Sequence, residues 1–178
     1  MNSKKQIMSF IKPNLVPVII WLVLPPLTIV GLLILLCVTI PTYVRAKKNI
    51  NKLESRGELE KAAAELTSTN AKRWVMGRII LTDNYVFCKG SGYIFTYDEI
   101  AWVYKHRFVR SFLFIPIKTT DSLYLATKSM KPKAVASMGK DKMEEIKNAI
   151  VEIYNHNNRC LIGYTKENIA AYKQLSAQ

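Results

Sequence analysis

The chain has 178 residues, with 26 Lys or Arg against 13 Asp or Glu, a net charge of +13 and a pI near 9.7. With about 45 residues set aside for a tail and an apolar run, the remainder suffices for one domain with a real core. Three scattered cysteines, Cys37, Cys88 and Cys160, argue against a disulfide framework and suit a reducing compartment.

Residues 1–14 read as a short basic tail carrying Lys4, Lys5 and Lys12. Leu15 to Ile40 is then an almost unbroken apolar run with no charge in it. At about 1.5 Å per residue such a run crosses a hydrocarbon core of about 30 Å once but not twice. The expectation is a transmembrane helix over 15–44, kinked at Pro25-Pro26, whose missing N–H groups leave two carbonyls without donors. Tyr43 would anchor at the headgroups. A re-entrant hairpin turning at Pro25-Pro26 and a cleaved signal or lipoprotein leader are the competing readings. The run is long for a leader, however, and lacks a small-residue cleavage site. Arg45, Lys47, Lys48, Lys52 and Arg56 outnumber the cations before the run. The expected location is therefore the cell membrane, single-pass, with a cytoplasmic C-terminal domain.

Residues 45–73 predict a helical stalk of two short helices broken at Gly57, since glycine is favoured just past a helix end. Its Ala62-Ala63-Ala64 run is expected to be a packing face. From 74 the hydrophobic period drops to two. Strands are expected at Val75–Leu81, Tyr85–Lys89, Tyr93–Tyr97, Ala101–Arg107, Phe112–Lys118, Leu123–Thr127 and near Ala134–Met138. Turns are expected at Thr82-Asp83-Asn84, Gly90-Ser91-Gly92, Thr120-Asp121-Ser122 and Lys131 to Lys133. An amphipathic helix over about Asp141–His156 closes a β-domain spanning 74–157. In the segment 158–178 a last helix is expected, N-capped by Thr165. The fold class is thus α+β: a transmembrane helix, a helical stalk, then an antiparallel β-barrel or sandwich capped by a helix.

Three segments carry a resemblance: LESRGELEKAAAEL at Leu53 to Leu66, YDEIAWVY at Tyr97 to Tyr104, and LIGYTKENIAAYKQL at Leu161 to Leu175. The chain resembles a family of uncharacterised small bacterial membrane-anchored proteins with a pleckstrin-homology-like (PH-like) domain. The resemblance implies a PH-like β-domain after the anchor, and no activity.

No nucleophile–base pair, Walker loop or zinc spacing is present, which predicts a non-enzymatic chain with no cofactor. His156 and Cys160 are too few for a metal site. Adjacent Asp98 and Glu99 point to opposite faces of a strand and do not converge. Without an RNP, helix-turn-helix or zinc-finger signature, nucleic acid is not an expected partner. Two basic clusters are the candidate contacts for anionic lipid or an acidic partner: Lys105, Arg107 and Arg110 around His106, and Lys128, Lys131 and Lys133. The functional expectation is a membrane-tethered binding or scaffolding module. The alternative is an accessory subunit of a larger membrane complex, contacting another membrane protein through the transmembrane helix.

Overall fold

A computed structural model describes residues 3–13, 16, 19, 32–112, 115–139 and 143–177. The chain forms two compact units, Met1–Asn70 with Phe87–Ile94, and Ala71–Val86 with Phe95–Gln178.

The first unit is mostly helical, with strand residues only within Phe87–Ile94. Helix α1 (Ser3–Ile11) buries Ile7 and Ile11, so the stretch expected to be a tail is an amphipathic helix that packs. It lies against α2 (Ile40–Ser55) and α3 (Leu59–Thr67). Lys4 Nζ bonds Glu54 Oε2 at 2.7 Å, and Gln6 Nε2 donates to the Ala63 carbonyl at 3.3 Å. Ala46, Ile50, Leu53, Ala62, Ala63 and Leu66 are buried. Alanines suit this position because they let helix backbones approach. A π-turn over Leu35–Thr39 leads into α2, with the Ile40 N–H donating to the Leu35 carbonyl. Pro41, in the first turn of α2, has no N–H to continue the four-residue ladder, and the wider turn accommodates that loss. Gly57, at φ +69°, ends α2. Its N–H bonds the Glu54 carbonyl at 3.0 Å and that of Glu58 the Leu53 carbonyl at 2.9 Å, the paired closure of a Schellman motif.

Among the described residues no helix is long and apolar enough to cross a membrane. This corrects the transmembrane helix expected over 15–44 and the single-pass cell-membrane location. The described apolar part, Leu32 to Val44, amounts to about 20 Å of helix, short of the roughly 30 Å a span requires. Beyond it Arg45, Lys47, Lys48 and Lys52 make α2 a polar-faced helix whose Thr42, Ala46 and Ile50 pack against protein. Pro25-Pro26, with most of the run before Leu32, lies outside the described residues.

The β-strands form two four-stranded sheets, ordered β1-β2-β3-β4 and β7-β6-β5-β8. The first holds β1 (Lys72–Trp74), β2 (Ile79–Leu81), β3 (Tyr85–Cys88) and β4 (Tyr93–Thr96). Of Val75–Leu81, expected as one strand, only Ile79–Leu81 is strand; Val75, Met76 and Gly77 belong to the turn before it and all have positive φ. The Met76 N–H is held by Glu145 Oε2 at 2.9 Å. The turn between β3 and β4 falls where Gly90-Ser91-Gly92 predicts one, with Gly90 and Gly92 at φ +75° and +74°.

In the second sheet β5 (Ile100–Phe112), β6 (Ile115–Thr127) and β7 (Met130–Gly139) pair antiparallel, while β8 (Leu161–Ile162) runs parallel to β5. Thr120-Asp121-Ser122 is not a turn: Asp121 lies inside β6, opposite Arg107. Lys131 to Lys133 likewise belongs to β7, and the turn is Lys128–Ser129. Helix α4 (Met143–His156) buries Ile146, Ala149, Ile150 and Ile153 and packs against β1, β2, β5 and β6. Asn157 ends it, Nδ2 donating to the carbonyls of Tyr97 at 2.7 Å and Ile100 at 3.0 Å. Helix α5 (Lys166–Ser176) starts at Thr165, whose hydroxyl accepts from the Asn168 N–H. The α+β class with two sheets therefore holds, without the expected membrane span.

Candidate binding surface

Strand β5 organises the second unit because its side chains alternate between two differently covered faces. Val103, Lys105 and Arg107 share a face with Leu125, Leu123 and Asp121 of β6, each directly opposite its partner. Near Arg107 this face meets α4, where Met143 Sδ lies 3.0 Å from Arg107 Nη2. Trp102, Tyr104, His106 and Phe108 occupy the other face. Trp102, Tyr104, Ala126 and Tyr172 form its buried centre, with Tyr124, Leu161 and Ile169 packed around them.

The aromatic face is tightly interleaved. Trp102 and Tyr104 have ring centroids 4.4 Å apart, and Tyr104 and Tyr124 stack at 5.1 Å. Tyr164, itself 55% exposed, lies parallel to Trp102 at 5.9 Å and 5.0 Å from Tyr104. The Tyr172 hydroxyl lies 2.9 Å from the Thr127 carbonyl and 2.8 Å from that of Met130, tying α5 to the turn between β6 and β7. Burial pushes the Tyr104 phenol up to about 12, helped by the neighbouring Tyr124, Tyr164 and Tyr172. A phenol in that state stays neutral at physiological pH and serves as packing with a polar tip.

The basic residues divide. Arg107 Nε donates to Asp121 Oδ1 at 2.8 Å and Nη2 to Oδ2 at 2.9 Å, a bidentate pair. The hydrogen bonds from Arg107 are the largest influence holding the Asp121 carboxyl below the usual carboxylate range; Lys105 adds a smaller charge effect. The Asp121 side chain is fully buried, while that of Arg107 remains 41% exposed. Lys105 is half-buried. Arg110 is exposed, with its guanidinium 6.0 Å from the Phe108 ring centroid. These three follow one another along the outer half of β5, beside Phe108 at 54% and Val109 at 46% exposure.

Lys128, Lys131 and Lys133 are exposed at the opposite end of the sheet, where Thr127 pairs with both Ile100 and Met130. The six candidate contacts are therefore two groups, not one site. Asp121, Tyr164, Phe108 and Val109 were not singled out from sequence as part of this surface. The alternation of Trp102, Tyr104, His106 and Phe108 carries a signal for a strand longer than Ala101–Arg107.

Cys88 and Cys160 are buried, and burial raises both thiols above their ordinary range. His156 stacks on Tyr97 at 4.2 Å, with Nδ1 2.9 Å from the Glu152 carbonyl. Among the described residues no three His, Cys, Asp or Glu side chains gather as metal ligands. Compared with family models, curated proteins and solved structures, the chain matches none of them.

Proposed function

We propose that this protein is a non-enzymatic binding module whose outer β5 surface takes an acidic partner protein. The observation that carries the reading is the run from Lys105 to Arg110. It sets Lys105 and Arg110 beside two exposed apolar side chains, while Arg107 and the adjacent carboxylate, Asp121, engage each other. Mixed apolar and cationic surface suits a protein partner, because the apolar groups contribute affinity and the charges steer encounter. Glu144 is bound by Lys147 and Glu145 by the Met76 N–H, so these two carboxylates at the start of α4 have partners of their own.

The test is association of the full-length chain with fluorescent poly-glutamate, beside vesicles of anionic lipid. Poly-glutamate binding at about 0.05 M salt, weakened at least about tenfold by Lys105→Glu with Arg110→Glu, supports the reading. The reversals Lys131→Glu with Lys133→Glu are expected to matter less. Failure to bind poly-glutamate, or binding to vesicles alone, overturns it.

A further inference from the structure

The edge of β5 is covered for only part of its length. The parallel strand β8 pairs with Trp102 and Val103 alone. It stops because Gly163 turns the chain away at φ +85°, a left-handed conformation that glycine adopts without steric cost. That turn is pinned on three sides. The Gly163 N–H donates to the Val103 carbonyl at 3.0 Å. The Gly163 carbonyl accepts from Trp102 Nε1 at 2.8 Å and from Asn168 Nδ2 at 3.2 Å.

The bond from Gly163 fixes which backbone groups face this edge. The Val103 carbonyl points toward β8, so the two-residue period turns the N–H and C=O groups of Lys105, Arg107 and Val109 the same way. The pairing of β5 with β6 is regular from Trp102 to Arg110, so the alternation is unbroken over this stretch. No further strand of the described residues lies beside it. Arg107, Phe108, Val109 and Arg110 are exposed there.

We propose that β5 receives an extended acidic segment of a partner protein as an added strand along Lys105 to Val109. This rests on the acidic-partner reading above and specifies how the partner is held. Main-chain hydrogen bonds supply affinity in strand addition, and alternate side chains supply selectivity. A residue of the added strand opposite Lys105 meets a cation and calls for Asp or Glu, and one opposite Arg107 meets a guanidinium that Asp121 engages through Nε and Nη2, leaving Nη1 for a second carboxylate. Those on the other face meet His106, Phe108 and the exposed Tyr164 and call for apolar side chains. The occupant is thus a segment alternating acidic and apolar residues. A second copy of this chain is disfavoured, because antiparallel pairing centred on Arg107 sets that residue against its own copy. Like charges directly opposite destabilise a sheet, and basic edges are a recognised guard against self-pairing.

The experiment uses the full-length protein and a blocked peptide of about seven residues alternating Glu and Val, long enough to cover the open edge. Two analogues carry N-methyl groups on the Glu amides or on the Val amides. Only one set of amides faces β5, so one analogue is expected to lose at least about tenfold in affinity while the other binds as the parent does. Loss with Glu methylation indicates an antiparallel strand, and loss with Val methylation a parallel one. Val109→Pro removes an outward donor without touching the ladder to β6 and is expected to weaken binding by a similar factor. Binding of the parent peptide is also expected to slow amide exchange at Lys105, Arg107 and Val109, a readout independent of any variant.

If both methylated peptides bind like the parent, the contact is electrostatic only; strand addition is then overturned while the acidic-partner reading survives. If neither the parent peptide nor poly-glutamate binds, both fail. Self-association of the chain that Val109→Pro abolishes would assign the edge to a second copy and overturn the proposal.

Discussion

Asp121 shows how one side chain sets the character of its strand. A carboxylate buried in a sheet costs far more than an exposed one unless its oxygens are bonded, and both oxygens here accept from Arg107. The carboxyl is held below its ordinary range, so its contribution to stability is full above the unfolded value. That contribution disappears as the pH falls through the lower folded value. Asp121→Asn is therefore expected to lower the urea midpoint at pH 7, with the gap to wild type closing as the pH falls below about 4. A gap constant across that range would refute the pairing. The thiols give a second test. Cys37 is exposed whereas Cys88 and Cys160 are buried, so a maleimide should label one thiol quickly in the native protein and all three after denaturation.

Among the elements, the turn between β3 and β4 leaves no room for change at Gly92. A Cβ on Gly92 would sit 2.6 Å from the Thr42 carbonyl oxygen and 3.1 Å from the Ala46 nitrogen, both rigid helix backbone. The turn is further held by Arg45 Nη1 on the Ser91 carbonyl at 2.8 Å and Asn49 Nδ2 on the Gly92 carbonyl at 2.7 Å. Gly92→Ala combines an unfavourable φ with a backbone overlap and is expected to cost more than about 2 kcal/mol in chemical denaturation. Gly90→Ala, with open space at the same kind of φ, should cost about 1 to 2 kcal/mol. The composition of Gly90-Ser91-Gly92 makes the turn legible in the sequence. The docking partner that makes one glycine stricter than the other is not legible, because it lies some fifty residues earlier. Thr120-Asp121-Ser122 fails for the same reason. Its local preference for a turn is overridden by an arginine fourteen residues away. At Lys131 to Lys133 the proline is accommodated in β7, an edge strand, where a missing donor is tolerated.

For the whole molecule, the period of hydrophobicity reveals the helix–strand–helix order, because each buried face is written into its own segment. It also suggests a membrane span, because a long apolar run says only that the segment avoids water. Whether protein or lipid covers such a segment depends on packing. In the described part of the run Thr39 is buried while Leu32, Leu33 and Leu36 are exposed, a division that average hydropathy cannot display. The basic excess is spread over two sheet ends and α2, so the cations read from sequence as clusters are only partly gathered in space. The free edge was beyond sequence reasoning altogether, since it depends on where β8 stops.

That stop is a single residue. Gly163 lets the chain contribute two residues of its own to the flank of β5 and then withdraw. Had the left-handed turn come two positions later, the protein's own C-terminal segment would occupy the place of Lys105's neighbour. The chain would then cover the edge on which we propose that a partner strand docks. The length of β8 is thus set by one glycine, which fixes how much of a long strand is flanked by the chain's own backbone.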